Sequence, residues 1–320
     1  MAPMPGCTGI QKAHASTATA RESIERQFGR RIRTIGIMEA LFQPIYNLID
    51  TLFPFCWANS LFMKRALLEI VLITPLCALI GIQVVNYRMA FFSDAISHSA
   101  FTGIALGLLL AVNPFFTTVA FGILVALGIA KFKTRSDLPM DTIIGVFFAA
   151  TIALGIAVIS ARKELYQTLP AFLFGDVLTI TEEEILMTLV LFVSIIIFLA
   201  FAYNRLLLTG LNEHLARSQD VPTVVYNYSF AAILATVVGL GIRTVGILLI
   251  TALLIIPAAS ARNISRNAGN MFWYSLFFAL ISGITGLLFS FYTDVATGAA
   301  VILTASVCFM ATFCWGLVKG

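Results

Sequence analysis

Apolar segments of bilayer length follow one another along most of the chain, separated by short charged, proline- or glycine-containing breaks. They cover residues 66–86, 92–111, 114–130, 141–159, 184–203, 223–241, 245–262, 272–291 and 296–318. About 20 apolar residues cross the hydrocarbon region of a bilayer as a helix. Because lipid cannot hydrogen-bond an exposed backbone, each span is predicted to be an α-helix. The pattern predicts an all-α, polytopic transmembrane bundle of about eight to ten spans.

The composition excludes an ordinary soluble domain. Of 320 residues, 59% are hydrophobic and 11% are charged, and the mean hydropathy is +0.95. Soluble domains carry about 25% charged residues. Residues 64–320 are therefore interpreted as one transmembrane domain.

The first 63 residues have a different character. Residues 1–34 are polar and basic, which predicts a disordered tail. Residues 35–63 contain Glu39, Asp50 and two prolines among apolar positions, which predicts an amphipathic segment at the membrane interface. A membrane crossing by the same segment is the alternative, and it would return the tail to the cytoplasm.

The distribution of basic residues predicts the orientation. With nine spans, one side of the membrane collects Arg88, Lys131, Lys133, Arg135, Arg205, Arg217, Arg262, Arg266 and Lys319. The opposite side of the spans collects Arg162, Lys163 and Arg243. The richer side is predicted to be cytoplasmic, so the carboxyl terminus lies inside. The net charge of +4 is scattered through loops and does not indicate a nucleic-acid partner.

The second span carries two residues that favour a site for a divalent cation. Asp94 and His98 are four residues apart, which places both on one face of a helix. Ionisable groups inside a bilayer are costly and mark functional positions by default. Two structural alternatives remain: the residues pair with each other, or they reach water at the cytoplasmic helix end. The neighbouring serines are expected to bond back to the helix backbone.

Other features of the spans have structural interpretations. Glu69, Arg243 and Asp176 are interpreted as boundary or solvated residues. Small residues predict close helix contacts at Gly103 with Gly107 and at Gly145 with Ala149. Pro257, inside an apolar span, is expected to kink or locally unwind its helix.

The stretch 204–222 is a polar, amphipathic interruption on the predicted cytoplasmic side. A short helix there is predicted to dock a soluble partner, and a solvated loop is the alternative. The chain has no GxxxxGK[ST] pattern to cradle a nucleotide phosphate. Any use of ATP must therefore depend on a separate subunit.

Four blocks of the sequence resemble one known family. They are VVNYRMAFFSDAISHSAFTGIALG (84–107), AFLFGDVLTIT (171–181), LNEHLARSQDVP (211–222) and RTVGILLITALLIIPAASAR (243–262). Over residues 60–318 the chain is similar to the ABC-3 family, the membrane permeases of bacterial zinc, manganese and iron ABC importers. Two departures stand out, the long basic amino terminus and Thr102, where relatives often carry proline.

The resemblance implies a fold of the ABC-importer permease type and a multi-pass location in the bacterial cytoplasmic membrane. It implies a pair of permeases, identical or related, in lipid, with cytoplasmic ABC ATPase subunits and an extracytoplasmic metal-binding protein. The chain itself would not be an enzyme and would hold no permanent cofactor, its metal being the transported manganese, zinc or iron. Asp94 and His98 match the family's metal-coordinating positions. The segment that couples to the ATPase matches Leu211, Asn212, Glu213, His214, Leu215, Ala216 and Arg217.

Two other functions are weighed against this one. A self-powered secondary transporter of metal or another small solute would be expected to show a repeated pair of broken helices and more intramembrane charges. An intramembrane hydrolase would need Ser97 or Ser99 to hydrogen-bond His98, but adjacent helical positions point about 100° apart. No GxSxG motif is present either.

Overall fold

The computed structural model of the chain describes residues 42–51, 60–160 and 179–319. The chain divides into two units, Met1–Asn59 and Ser60–Gly320. In the first unit the described part is one helix, α1, over 42–51. The tail predicted at 1–34 and the loop residue Asp176 lie outside the described residues. The interfacial location of residues 35–63 stays a prediction.

The second unit is built of helices joined by short connections. They are α2 (Leu61–Asn86), α3 (Ala90–Leu109), α4 (Pro114–Arg135), α5 (Met140–Ser160), α6 (Glu182–Leu211), α7 (Glu213–Ser218), α8 (Thr223–Val245), α9 (Ile247–Ile264), α10 (Ala268–Thr293) and α11 (Thr297–Lys319). Each of the nine predicted spans is a helix, so the all-α prediction is confirmed.

Eight of the described helices are long and apolar enough to cross a membrane, by length and composition. Helix α3 is not among the eight, because Asp94, His98 and its serines lower its hydropathy. Its 20 residues nevertheless give it a length of about 30 Å, which matches the hydrocarbon thickness. Since α3 packs against α4, α5 and α8, most of its surface is covered by protein.

Helix α2 lies at the centre of the bundle, in contact with α6, α9 and α10. Of its most apolar 18-residue window, 78% is buried, more than in any other of the eight helices. Gly81 allows the contact with α9, because a Cβ at this position would collide with the carbonyl oxygen of Leu254. The two backbones therefore touch directly, which is a common arrangement at glycines of membrane helices.

Several helices extend beyond their predicted bounds, and α2 and α6 show why. Helix α2 begins at Leu61, before the charged residues Lys64 and Arg65, instead of at 66. Helix α6 continues to Leu211, well past the predicted end at 203. Its polar extension is supported by α8, where the Tyr226 hydroxyl accepts a hydrogen bond of 3.0 Å from the Arg205 guanidinium. Charge ends an apolar span, but it does not end a helix that has tertiary contacts.

Helix α9 is continuous through Pro257, so the alternative of local unwinding does not hold. The proline ring supplies no N–H for the carbonyl of Leu253, four residues earlier. Both residues are buried in the bundle. A kink at Pro257 stays a prediction.

The predicted small-residue contacts are partly right. A Cβ at Gly103 would lie 2.7 Å from the Thr118 Cα, and one at Gly107 would lie 2.8 Å from the Pro114 Cα, so both glycines let α3 approach α4. The prediction for Gly145 with Ala149 is wrong within this chain, because nothing in the described part lies within 4 Å of a Cβ at Gly145. These two residues lie on an exposed face of α5.

The contact at Gly81 yields a test of the bundle's core. We expect Gly81→Ala to lower the thermal unfolding midpoint of the detergent-solubilised protein by several degrees, because overpacking costs about 1–3 kcal/mol. Gly122→Ala is the matched control, since its added methyl group would meet the nearest atom, Ile96 Cγ2, at 3.7 Å, an ordinary contact distance. Equal midpoints for the two variants would contradict the close packing of α2 on α9.

Candidate metal centre

One face of α3 is not covered by the other described parts of the chain. Along residues 91–105 the side chains that remain accessible are Phe91, Asp94, His98 and Phe101, and the others are buried. Their spacing of three or four residues defines a single stripe on the helix. The two ionisable groups of α3 therefore lie on the one face that a partner can reach.

The two side chains are close enough to share an ion. The Asp94 Oδ1 and His98 Nε2 atoms are 3.8 Å apart, and the side chains are 38% and 30% exposed. This distance is longer than a hydrogen bond and within the range of an ion pair. A metal ion bonds such atoms at about 2.1 Å, which lets one ion contact two ligand atoms up to about 4.2 Å apart. The geometry is suitable for chelation.

The serines of α3 are occupied by the helix backbone. The hydroxyl of Ser93 donates to the Ala90 carbonyl, that of Ser97 to the Ser93 carbonyl and that of Ser99 to the Ile96 carbonyl, at 2.8, 2.8 and 2.6 Å. All three serines are fully buried. The predicted back-bonding is confirmed, and the serines face away from the accessible stripe. They offer neither metal ligands nor a nucleophile beside His98.

Helix α5 fixes the position of α3 beside the pair. The ring of Phe148 meets the imidazole of His98 edge-on, with centroids 5.2 Å apart and an interplanar angle of 81°. The hydroxyl of Thr102 donates a 2.5 Å hydrogen bond to the Thr151 carbonyl of α5. Gly155 leaves space for Thr102, because a Cβ there would lie 2.5 Å from its hydroxyl oxygen. Thr102, noted in the sequence as a departure, therefore joins the two helices.

The pair does not form a complete metal site within this chain. Among the described residues no group of three His, Cys, Asp or Glu side chains is placed to hold an ion. Closed zinc sites have about four ligands. Ligands from outside the described chain are needed to complete the coordination.

The segment 211–217, termed the coupling segment below, is an ordered turn and short helix. The Asn212 side chain caps α7 by accepting a hydrogen bond from the Leu215 amide at 3.1 Å. The Arg217 guanidinium and the Glu213 carboxylate form an ion pair at 2.6 Å on its surface. Ala216 is buried and anchors the helix.

The exposed side of the coupling segment is partly apolar. Leu211 is 64% exposed and Leu215 is 47% exposed, and His214 lies between them on the surface. Leucines so exposed at the end of a membrane bundle are suited to contact another protein. The segment is thus a short helix with an accessible apolar face, as the sequence predicts.

The interpretation of Glu69 as a boundary residue is wrong. Because α2 begins at Leu61, Glu69 lies in the third turn and is fully buried. The hydroxyl of Thr188 in α6 donates a 2.9 Å hydrogen bond to its Oε1 atom. One turn earlier, the Arg65 guanidinium pairs with the Glu182 carboxylate at 2.9 Å. These polar contacts join α2 to α6 at the predicted extracytoplasmic end.

Arg243 is likewise more than a solvated residue. It lies in the last turn of α8 and pairs with the Glu184 carboxylate at 2.6 Å. Its guanidinium also lies over the ring of Phe115, 5.6 Å from the centroid. These partners come from α6 and α4, distant in the chain, so no local pattern around Arg243 indicates them.

The comparison with protein families identifies this arrangement of helices. The family model described as ABC 3 transport family matches residues 59–316, which include every helix of the second unit. The chain belongs to the ABC 3 transport family. It is therefore a multi-pass membrane permease of the bacterial cytoplasmic membrane, and its relatives are transporter subunits.

Two curated members of the ABC 3 transport family show the range of relatives. The manganese transport system membrane protein MntC of Listeria innocua is 32% identical over 262 residues, which cover 81% of this chain and 92% of that protein. The high-affinity zinc uptake system membrane protein ZnuB of Haemophilus influenzae is 29% identical over 245 residues, covering 77% and 94%. The similarity therefore extends over nearly the full length of both relatives.

Solved structures of permeases agree with the fold. PsaBC from Streptococcus pneumoniae, determined in complex with Fab, matches with a TM-score of 0.70 and 29% identity, over 84% of this chain and 95% of that one. An inward-facing metal-chelate type ABC transporter matches with a TM-score of 0.62 at 19% identity, covering 78% and 85%, which shows a shared fold.

The hydrogen bond between α3 and α5 gives a test of how the pair is positioned. We expect Thr102→Val to lower stability by about 0.5–1.5 kcal/mol, because the hydrogen bond to the Thr151 carbonyl is lost. Thr151→Val is the matched control, since that hydroxyl bonds within its own helix, to Phe148, and the accepting carbonyl remains. Unfolding of both variants in detergent measures the difference. A larger loss in Thr151→Val would contradict the assignment.

Proposed function

We propose that this permease is the membrane subunit of an ATP-driven importer for a divalent transition metal, manganese or zinc, and that Asp94 and His98 bind the ion in transit. The observation that carries the proposal is the accessible stripe of α3, whose only ionisable groups are this carboxylate and this imidazole. Because the rest of α3 is packed or bonded to its own backbone, no other group on this helix competes for the role.

A second permease completes the site in this proposal. If two copies, or two related chains, face each other across a two-fold axis, the stripes of both α3 helices meet. Two carboxylates and two imidazoles then surround one ion, which satisfies four-coordinate geometry with mixed oxygen and nitrogen ligands. The carboxylates also offset the ion's charge within the membrane.

The relatives and the ligand chemistry together narrow the transported metal to a few divalent ions. The relatives MntC and ZnuB are named for manganese and for zinc. Carboxylate and imidazole ligands accept both ions, and they also accept iron(II). Uptake of labelled manganese, zinc and iron in competition decides among the three.

The energy for import comes from partner subunits. Cytoplasmic ABC ATPase subunits bind the coupling segment, whose exposed Leu211, His214 and Leu215 supply the contact. An extracytoplasmic metal-binding protein delivers the ion to the opposite face. The chain serves as the pathway and holds no cofactor of its own.

A self-powered secondary transporter is the alternative. It would require ionisable groups along the pathway to couple a second ion to transport. In the described spans Glu69 is hydrogen-bonded by Thr188 in the protein interior, away from the accessible stripe of α3. Co-purification of an ATPase subunit with this permease excludes the alternative, and metal uptake without any such subunit supports it.

Replacing the ligands tests the metal site. We expect Asp94→Asn and His98→Ala each to reduce metal uptake to background, because the first replaces the anionic carboxylate by a weaker neutral amide and the second removes the imidazole. Membrane insertion and co-purification of the ATPase subunit should remain at the wild-type level, since both side chains lie on an accessible face. Uptake of radioactive manganese and zinc into cells that lack other importers measures the effect.

Ser97→Ala is the control for these variants. Ser97 lies on the same helix, but its hydroxyl donates to the Ser93 carbonyl and faces the protein interior. Uptake by Ser97→Ala should therefore resemble that of the wild type. Wild-type uptake by both Asp94→Asn and His98→Ala would refute the assignment of the pair.

A charge on the coupling segment tests the docking of the ATPase. We expect Leu215→Glu to reduce the amount of ATPase subunit that co-purifies with the permease, because a carboxylate would be desolvated in the contact. Leu110→Glu is the control, since Leu110 is 64% exposed at the opposite end of the bundle. Equal co-purification from both variants would locate the docking surface elsewhere.

A further inference from the structure

Tyr87 lies between the end of α6 and the start of α3. It is the first residue after α2, in the three-residue turn that leads into α3. Gly210, the residue before the coupling segment, lies against its ring: a Cβ at Gly210 would be 2.8 Å from Tyr87 Cδ2 and 2.9 Å from Cε2. The ring therefore rests directly on the backbone of α6, with no room for a side chain between them.

The other side of the ring is also in contact. The Tyr87 ring stacks on Phe230 of α8, with centroids 5.1 Å apart and planes inclined by 12°. Helices α6 and α8 are the two helices that flank the short helix α7. Tyr87 is thus held between the helices on either side of the proposed ATPase contact.

The coupling segment follows Gly210 directly in the chain, with no flexible linker between them. Asn212 is the single residue between α6 and α7, and its side chain caps α7. The Glu213 carboxylate is held by Arg217 at 2.6 Å. Because a single residue connects this internally bonded helix to the end of α6, a displacement of α7 displaces Gly210 as well.

The connection from Tyr87 to the metal ligands is equally short. The amides of Arg88 and Met89 donate to the carbonyls of Val85 and Val84, both at 3.1 Å, which closes the turn tightly. Helix α3 begins at the next residue, and Asp94 lies in its second turn. A movement of Tyr87 therefore moves the start of α3 and the ligands on it.

We propose that Tyr87 is a positioning residue that transmits movement of the coupling segment to α3, so that ATP hydrolysis in the partner changes the metal site formed by Asp94 and His98. The inference rests on the proposed function, since it requires both ATPase docking and metal binding. It assigns the transmission to one contact, the Tyr87 ring against Gly210.

Two features of the turn between α2 and α3 are consistent with a conformational change there. Arg88 adopts a left-handed backbone conformation, with φ of 55°, which side-chain-bearing residues adopt at a cost and which recurs in switch regions. A cavity of about 400 Å³ adjoins the contact, with Tyr87, Arg88, Gly210 and Glu213 in its lining. The ring is therefore packed against helices on two sides and next to open volume on another.

Gly210→Ala tests the contact by inserting a methyl group into it. The assay uses the whole importer, permease with ATPase subunits and metal-binding protein, reconstituted in vesicles with Mn²⁺ as the probe. We expect the ATPase subunit to remain bound and ATP hydrolysis to continue, while Mn²⁺ imported per ATP hydrolysed falls about tenfold, within the usual range of coupling effects. Gly269→Ala is the matched control, because its Cβ would meet the nearest atom at 3.6 Å, and its ratio should stay unchanged.

Two substitutions of Tyr87 separate transmission from packing. Tyr87→Phe keeps the ring that packs against Gly210 and Phe230, so it should keep the wild-type ratio. Tyr87→Ala removes the ring and should lower the ratio as Gly210→Ala does. A merely structural role would reduce uptake and hydrolysis together and leave their ratio unchanged.

The outcomes distinguish this inference from the proposed function. Wild-type Mn²⁺ per ATP in both Gly210→Ala and Tyr87→Ala would overturn the inference, as would a parallel loss of uptake and hydrolysis or a failure of both variants to assemble with the ATPase. A wild-type complex that hydrolyses ATP without importing Mn²⁺ or Zn²⁺ would overturn the proposed function instead.

Discussion

An ionisable side chain is costly wherever it faces lipid, and this constraint explains how α3 is built and packed. Asp94 and His98 occupy one stripe of the helix, and the remaining faces of α3 are covered by α4, α5 and α8. Glycines allow this close packing. Gly103 and Gly107 let α3 approach α4, and Gly155 of α5 leaves space for the Thr102 side chain. The predicted span that is not among the eight most apolar helices is thus covered by its neighbours on most of its surface, with Asp94 and His98 on the accessible stripe.

The same constraint explains which features of the fold and the site could be predicted from the sequence. The apolar spans, the shared face of Asp94 and His98 and the back-bonding of the serines follow from helical periodicity and from the absence of water, so they are visible in one chain. The facing atoms of the pair are 3.8 Å apart, a separation typical of an ion pair and also suited to two ligands of one ion. The proposed partner ligands were not predictable as contacts, because the described residues place no third His, Cys, Asp or Glu side chain beside the pair.

The sequence-based interpretation was wrong for residues whose surroundings depend on distant helices. Glu69 looked like a boundary residue because Lys64 and Arg65 precede it, yet α2 extends through them and Thr188 hydrogen-bonds the carboxylate. Gly145 looked like a packing residue, yet no described atom lies near its missing side chain. Composition indicates that a small or charged residue is tolerated, whereas only the tertiary arrangement specifies what it meets.

Helices α2 and α6 are joined differently at their two ends, and the difference bears on how the permease moves. At the predicted extracytoplasmic end the contacts are polar, Glu69 with Thr188 and Arg65 with Glu182, and breaking them would leave buried groups unsatisfied. At the predicted cytoplasmic end the contact is the Tyr87 ring on Gly210, which is non-directional and borders a cavity. Moving a ring together with the backbone it packs on costs less than separating a buried carboxylate from its donor. The predicted cytoplasmic end, next to the coupling segment and the start of α3, is therefore the end of this helix pair at which movement costs less.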